Sequence, residues 1–150
     1  GGIRIPFIAR WPGKIKAGKV SSRISAQFDI MNTLAELTAV KVPLNDGVSL
    51  LPELLGKDNG QKPHTYLYFE YPENNGQVAV RMGKWKGIKR NMKSNIHAQW
   101  ELYDLEKDVE EAENVAAANP GVIKSFEEII KKEHQHPHIN EWEFIDSKLK

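Results

Sequence analysis

The densest set of metal-competent side chains is the run His134-Gln135-His136-Pro137-His138. In an extended segment alternate side chains fall on one side, so these imidazoles could face one ion. Zinc needs a third or fourth ligand in fixed geometry, and the run does not show where one would come from. A helix C-terminus, which favours cationic side chains, explains His134 without a metal, so no metal ligand is assigned. His64 and His97 have no partner legible from spacing and read as loop residues.

A second group is basic. Arg81, Lys84, Lys86, Lys89, Arg90 and Lys93 surround Trp85, a pattern open to two readings. One is a ribbon for an anionic glycan or nucleic acid, with arginines matching planar oxyanions through paired hydrogen bonds. The other is the solvated outer face of a two-layer domain. Tyr66, Tyr68, Tyr71 and Trp100 are likewise either stacking platforms for sugar rings or sheet core. The candidate substrate-binding residues are Glu70, Gln77 and Arg81. They flank a hairpin tip whose Glu73, Asn74 and Asn75 serve no core, and loops held by rigid strands collect recognition residues. Gln77 and Arg81 share one strand face, and Glu70 is expected to join them from the neighbouring strand. A carboxylate and an amide suit sugar hydroxyls, and an arginine suits a sulfate or uronate. No catalytic residue is assigned: the chain has no Gly-x-Ser-x-Gly elbow, no phosphate-binding glycine loop and no His-Glu-x-x-His.

The elements that must position these groups are legible from periodicity. Residues 66–105 read as a meander of four antiparallel strands. The first, 66–71, is aromatic and ends at Pro72. The second, 77–82, alternates, with Val78, Val80 and Met82 on one face. Gly83-Lys84 suits a two-residue type II′ turn. The third, 85–90, carries Gly87 where a bulge would sit, and 100–105 is the fourth. Ahead of the meander, residues 3–10 alternate as a strand. Residues 25–39 form a helix with the face Ile30, Met31, Leu34, Ala35, Leu37, Thr38 and Asp29 near its N-terminus. Residues 49–55 make a short apolar turn closed by Gly56. Behind the meander, Asp108 and Glu111 have capping-box spacing. Asn119-Pro120 opens a helix with a buried stripe of Val122, Ile123, Phe126, Ile129 and Ile130, and with Glu127–Lys131 and Glu128–Lys132 pairs on the wet side. The expected fold class is therefore α+β: a four-stranded antiparallel sheet with a C-terminal helix packed on it, preceded by one strand and one helix. The expected divisions are 1–62, 63–136 and a tail, 137–150.

Composition sets the bounds. The chain has 150 residues, 40% hydrophobic and 27% charged, with a net charge of +1, which suits a globular fold with a real core and gives no global pull towards nucleic acid or an anionic membrane. With zero Cys there are no disulfides and no thiolate nucleophile. No run reaches the roughly 20 apolar residues of a membrane-spanning helix. The opening Gly-Gly-Ile-Arg, without an initiator Met, reads as the start of a piece of a longer protein.

Four segments, in order, resemble the C-terminal part of the sulfatase family. Gly1-Gly2-Ile3-Arg4-Ile5-Pro6 with Trp11-Pro12-Gly13 is similar to the family's Gly-Gly-x-Arg-x-Pro…Trp-Pro-Gly strand. Asp29-Ile30-Met31-Asn32-Thr33 resembles its Asp-x-x-Pro-Thr helix, with Asn32 where Pro is usual. Asp46-Gly47-Val48-Ser49-Leu50 resembles its Asp-Gly-x-Ser-Leu turn. Leu102-Tyr103-Asp104-Leu105 through Asp108 resembles its Leu-Tyr-Asp-Leu…Asp-Pro ending, with Val109 in place of Pro. The likeness is to the arylsulfatase or N-acetylgalactosamine-6-sulfatase type of the alkaline-phosphatase-like superfamily, in polysaccharide-degrading bacteria.

This resemblance implies a parent enzyme that hydrolyses sulfate esters of a sulfated saccharide through formylglycine and calcium, in the periplasm or outside the cell. The Cys/Ser-x-Pro-x-Arg motif and the calcium ligands belong to the family's upstream portion, so no cofactor is expected in this chain. Its expected roles are to complete the fold, to border the substrate pocket and to pair with the missing catalytic domain. Self-association through the exposed strand at 3–10 is a further expectation. The rival expectation is a stand-alone module for anionic glycan or nucleic acid using residues 81–93.

Overall fold

The computed structural model describes residues 2–95 and 97–146. Gly1 of the opening motif, Ile96 and the tail beyond Asp146 lie outside the described residues. The chain divides into two units, one spanning Gly2–Thr65 and the other running from Tyr66 onward.

In the second unit the expected meander is present. Strands β1 (Leu67–Tyr71), β2 (Gln77–Met82), β3 (Trp85–Lys89) and β4 (Trp100–Asp104) pair antiparallel in the order β1-β2-β3-β4. Met82 pairs with Trp85 across a two-residue turn in which Gly83 takes φ 53°, the positive value that a side chain would resist. Gly87 is not a bulge. The β2–β3 and β3–β4 registers run through it without a break, Val80 to Gly87 to Leu102. A Cβ there would lie 2.3 Å from Cε2 of Phe126, so the glycine makes room for the ring that fills the core.

Opposed residues of an antiparallel pair share a face. One face carries Tyr68, Glu70, Val78, Val80, Met82, Trp85, Gly87, Lys89, Trp100, Leu102 and Asp104. The long helix here, Pro120–Glu133, covers that face. Its expected stripe is correct: Phe126, Ile129 and Ile130 are buried, with Val122 and Ile123 packed beside them. Asn119 stands at the N-cap, though its side-chain amide donates to the Val115 carbonyl rather than capping. The C-terminal segment closes the core with buried Phe144 and Ile145. Glu127 does not face water as expected. Its Oε1 accepts from Lys89 Nζ at 2.8 Å and Trp100 Nε1 at 2.7 Å, because it sits one position beyond Phe126 on the edge of the buried stripe. Asp108 and Glu111 do not open a helix either. Asp108 accepts from the amides of Ala112 and Glu113 in a turn, and Glu111 takes φ 60° and sends its carboxylate to Lys86.

In the first unit, α1 (Asp29–Thr38) and α2 (Leu51–Leu54) are the helices, and the Pro120–Glu133 helix is accordingly α3. Residues 3–10 have strand-like alternation but form no strand, since none of the described residues supplies a ladder partner. Their apolar side chains are open, Ile8 to 89%. Polar bonds hold this unit. Asp29 is wholly buried. Its carboxylate accepts from the Ala26 and Val48 amides at 2.8 Å each, and His64 Nε2 lies 2.8 and 2.9 Å from its two oxygens. Thr33 donates to the Asp29 carbonyl and accepts from the Leu50 amide. Gln61 accepts from Glu53 N–H and donates to the carbonyls of Ser49 and Lys62. The face of α1 expected to be core is largely exposed instead: Ile30, Met31, Leu34 and Leu37 are all open.

Candidate functional site

The structure separates the residues that the sequence grouped. Glu70 pairs across the ladder with Val78, while Gln77 pairs with Tyr71 and Arg81 with Leu67. Glu70 therefore lies on the α3 face, and Gln77 and Arg81 lie on the opposite one. The expectation that Glu70 joins them fails on the two-residue period of the strand: Glu70 and Tyr71 are neighbours in sequence and so point to opposite sides. On the far face, Arg81 Nη1 donates to the carbonyls of Gly83 and Trp85, folding back over its own hairpin. Leu67, Ala79, Lys86 and Tyr103 on that face are buried, and Gln77 and Tyr71 stand at its more open end.

Glu70 instead belongs to a cluster built by the end of α3 and the C-terminal segment. Its Oε1 accepts from the Tyr68 hydroxyl at 2.6 Å and lies 2.9 Å from His134 Nδ1. Burial first, then the Glu70 carboxylate, pushes the Tyr68 phenol far above its ordinary range. His134 follows directly on α3, and its side chain is only 4% exposed. Its other nitrogen, Nε2, is 3.2 Å from Glu143 Oε2 and 3.2 Å from Asp146 Oδ1. The Glu143 Oε1 atom is fixed by the amides of Ile145 and Asp146. His136 Nδ1 approaches the same pair, 3.2 Å from Glu143 Oε2 and 3.0 Å from Asp146 Oδ2. Burial lowers the His134 pKa and the carboxylates at Glu70, Glu143 and Asp146 more than reverse that, so it ends raised; the Asp146 carboxylate is the main cause of the rise at His136. The sequence showed the histidines but not their partners, because Glu70 comes from a strand 64 residues earlier.

The basic ribbon dissolves into ion pairs. Lys84 bonds Asp104, Lys86 bonds Glu111, Lys89 bonds Glu127, and Arg90 lies 3.5 Å from Glu101. Lys93 donates to the Glu141 carbonyl. Alternation along β3 also splits the cations between two faces, so they form no single anion-binding strip, and the rival reading of a glycan or nucleic-acid module has no support. Trp100 is core, as are Tyr66 and Tyr68 at its edge, whereas Tyr71 is exposed and bonds Glu73. His64, read from sequence as a partnerless loop residue, is the buried partner of Asp29, with its ring edge-on to Phe28 at 5.9 Å. No spacing signal could have shown this, since the two lie 35 residues apart.

Comparison with known proteins agrees with this architecture. Residues 1–140 match the family described as N-sulphoglucosamine sulphohydrolase, C-terminal. The chain is 34% identical over 145 residues to an N-acetylgalactosamine-6-O-sulfatase of Bacteroides thetaiotaomicron, covering 87% of this chain and 27% of that protein. It is 31% identical over 153 residues to arylsulfatase A of Homo sapiens, covering 86% and 30%. Among solved structures it is similar to BT4656 in complex with its substrate D-glucosamine-2-N,6-O-disulfate, at a TM-score of 0.66 and 26% identity over 94% of this chain and 29% of that one. The chain thus spans under a third of the length of these relatives. A four-stranded meander closed by one helix, preceded by the Asp29 helix and the Gly47 turn, and matched along nearly its whole length, places the chain in the sulfatase family as a C-terminal domain.

Proposed function

We propose that this chain is the C-terminal part of a sulfatase whose whole form hydrolyses sulfate esters of a sulfated saccharide. The match of residues 1–140 to the sulfatase C-terminal family carries this reading. The residues present do not fit the family's formylglycine: the chain has no Cys and no Ser-x-Pro-x-Arg motif. A chain without that nucleophile has no covalent route to a sulfate ester, so the chemistry belongs to the rest of the parent. This part completes the fold and borders the pocket. The exposed face of α1 and the open side chains of 3–10 are the surfaces that the catalytic portion would cover. The parent acts in the periplasm or outside the cell, as suits an enzyme of polymeric glycans; no helix among the described residues is long and apolar enough to cross a membrane.

Gln77 and Arg81 remain the proposed rim residues, without Glu70. The test is made in the full-length protein. This chain alone, given an aryl sulfate and calcium, turns over nothing above background, and the full-length protein turns it over. Gln77→Ala and Arg81→Ala in the full-length protein lower kcat/KM on the natural saccharide and leave the small aryl ester unaffected, the signature of remote substrate binding. Turnover by this chain alone would overturn the domain assignment. Equal losses on both substrates would remove the rim residues from it.

A further inference from the structure

We propose that His134 Nε2, Glu143 Oε2, the Asp146 carboxylate and His136 Nδ1 form a binding site for a zinc-class divalent cation where α3 meets the C-terminal segment. One ligand atom each from His134, Glu143 and Asp146 lie within 4.8 Å of one another. The nitrogen–oxygen separations from His134 to Glu143 and Asp146 are 3.2 Å each. Those from His136 are 3.2 and 3.0 Å. A tetrahedron of ligands roughly 2.0–2.1 Å from a zinc ion has edges of about 3.3 Å. The four nitrogen–oxygen separations are therefore close to that edge length, with Asp146 meeting His134 through Oδ1 and His136 through Oδ2.

Two of the four ligands, His134 and Glu143, are also held from behind. A metal-binding imidazole is oriented by a carboxylate on its other nitrogen. Here Glu70 takes that position at His134 Nδ1, 2.9 Å away, and is itself held by the Tyr68 hydroxyl. Glu143 has one oxygen pinned by two backbone amides and presents the other. His134 is nearly closed to solvent, while the His136 and Asp146 side chains are 59% and 49% exposed and leave an entry path. Two imidazoles with two carboxylates suit a borderline cation such as zinc; calcium takes six to eight oxygens and magnesium keeps most of its waters. The ion would tie the segment bearing Phe144 and Ile145 to the end of α3.

The experiment is calorimetric titration of chelator-washed full chain with zinc chloride, repeated with calcium and magnesium chloride, and a visible spectrum after loading with cobalt(II). One zinc per chain is expected, with Kd at or below the micromolar range, tetrahedral-type cobalt absorption, and no calcium or magnesium heat. His136→Ala and Asp146→Asn alter exposed side chains, so the fold survives them, and each weakens zinc binding at least tenfold. Glu70→Gln touches no metal and weakens it by roughly 10–100-fold through the orientation of His134. Absence of stoichiometric zinc binding, binding unchanged by His136→Ala and Asp146→Asn, or calcium bound as tightly as zinc would each overturn the assignment.

Discussion

The two units carry helices of the same design and treat them in opposite ways. Both α1 and α3 are amphipathic, but α3 buries Phe126, Ile129 and Ile130 against the sheet while α1 leaves Ile30, Met31, Leu34 and Leu37 open. The second unit is held by an apolar core with Phe126, Leu102 and Val80 at zero exposure. The first is held by a polar net around Asp29, Thr33 and Gln61. Apolar packing is non-directional and sums over area, so it stabilises a unit that is complete. Buried hydrogen bonds add little net stability but fix geometry, because leaving one unmade is costly. The first unit is therefore shaped in advance yet keeps an apolar surface to offer, which fits a piece that seats against more protein.

The most damaging way to break this contrast is to remove the ring at the centre of the second unit. Phe126→Ala should cost about 3–5 kcal/mol, read as a fall in the urea midpoint. Gly87→Ala alone should cost about 1–3 kcal/mol by overpacking, because its Cβ would meet that ring. In the Phe126→Ala background the same change should cost clearly less, a non-additivity that marks direct contact. Strict additivity would remove the contact as the reason for the glycine.

In the first unit the largest effect should come from Asp29→Ala. It strands the Ala26 and Val48 amides and the His64 ring, and each buried group left unpaired costs roughly 1–3 kcal/mol. Hydrogen exchange should show lost protection at Ala26 and Val48 while the β2 and β3 amides keep theirs. Equal loss in both units would contradict their separation.

Sequence periodicity located all four strands within a residue or two and the buried stripe of α3, because alternation and the 3.6-residue repeat are imposed by burial and burial is what the second unit has. It failed where the chain is held by single polar bonds. The Asp29–His64 pair, the Lys86–Glu111 pair and the partners of His134 join residues far apart in sequence, and nothing in local composition records them. It also misassigned the face of Glu70, by a single step of strand alternation, and the role of Gly87, because a glycine that admits a ring looks the same as one that makes a bulge.

A smaller effect concerns pH. Asp108 is held below the ordinary carboxylate range by hydrogen bonds from the Ala112 and Glu113 amides, and Asp104 by the Lys84 ammonium. Because their folded-state values are depressed, the stabilisation is full above the ordinary aspartate value of 3.8 and is lost as pH falls through the lower folded values. Thermal melts should show Tm falling more slowly on acidification in Asp108→Asn, which has already lost that charge, than in the parent chain. Parallel curves would show that Asp108 titrates with the same pKa in both states.

The smallest expected effect is the sharpest test of the comparison. Leu34 on α1 is 54% exposed. With little to lose, Leu34→Ala in this chain should change stability by no more than about 0.5 kcal/mol, as surface substitutions do, and alanine's higher helix propensity offsets part of even that. Ile130→Ala, at the matching face of α3, should cost about 2–5 kcal/mol. In the full-length parent the two positions should converge, because the proposed catalytic portion would cover α1, and Leu34→Ala would then remove buried methylenes as Ile130→Ala does. Urea midpoints for both variants in both backgrounds decide it. If Leu34→Ala stays silent in the full-length protein, the open face of α1 is simply a solvated helix surface, and the apolar stripe that the sequence assigned to a core belongs to no core at all.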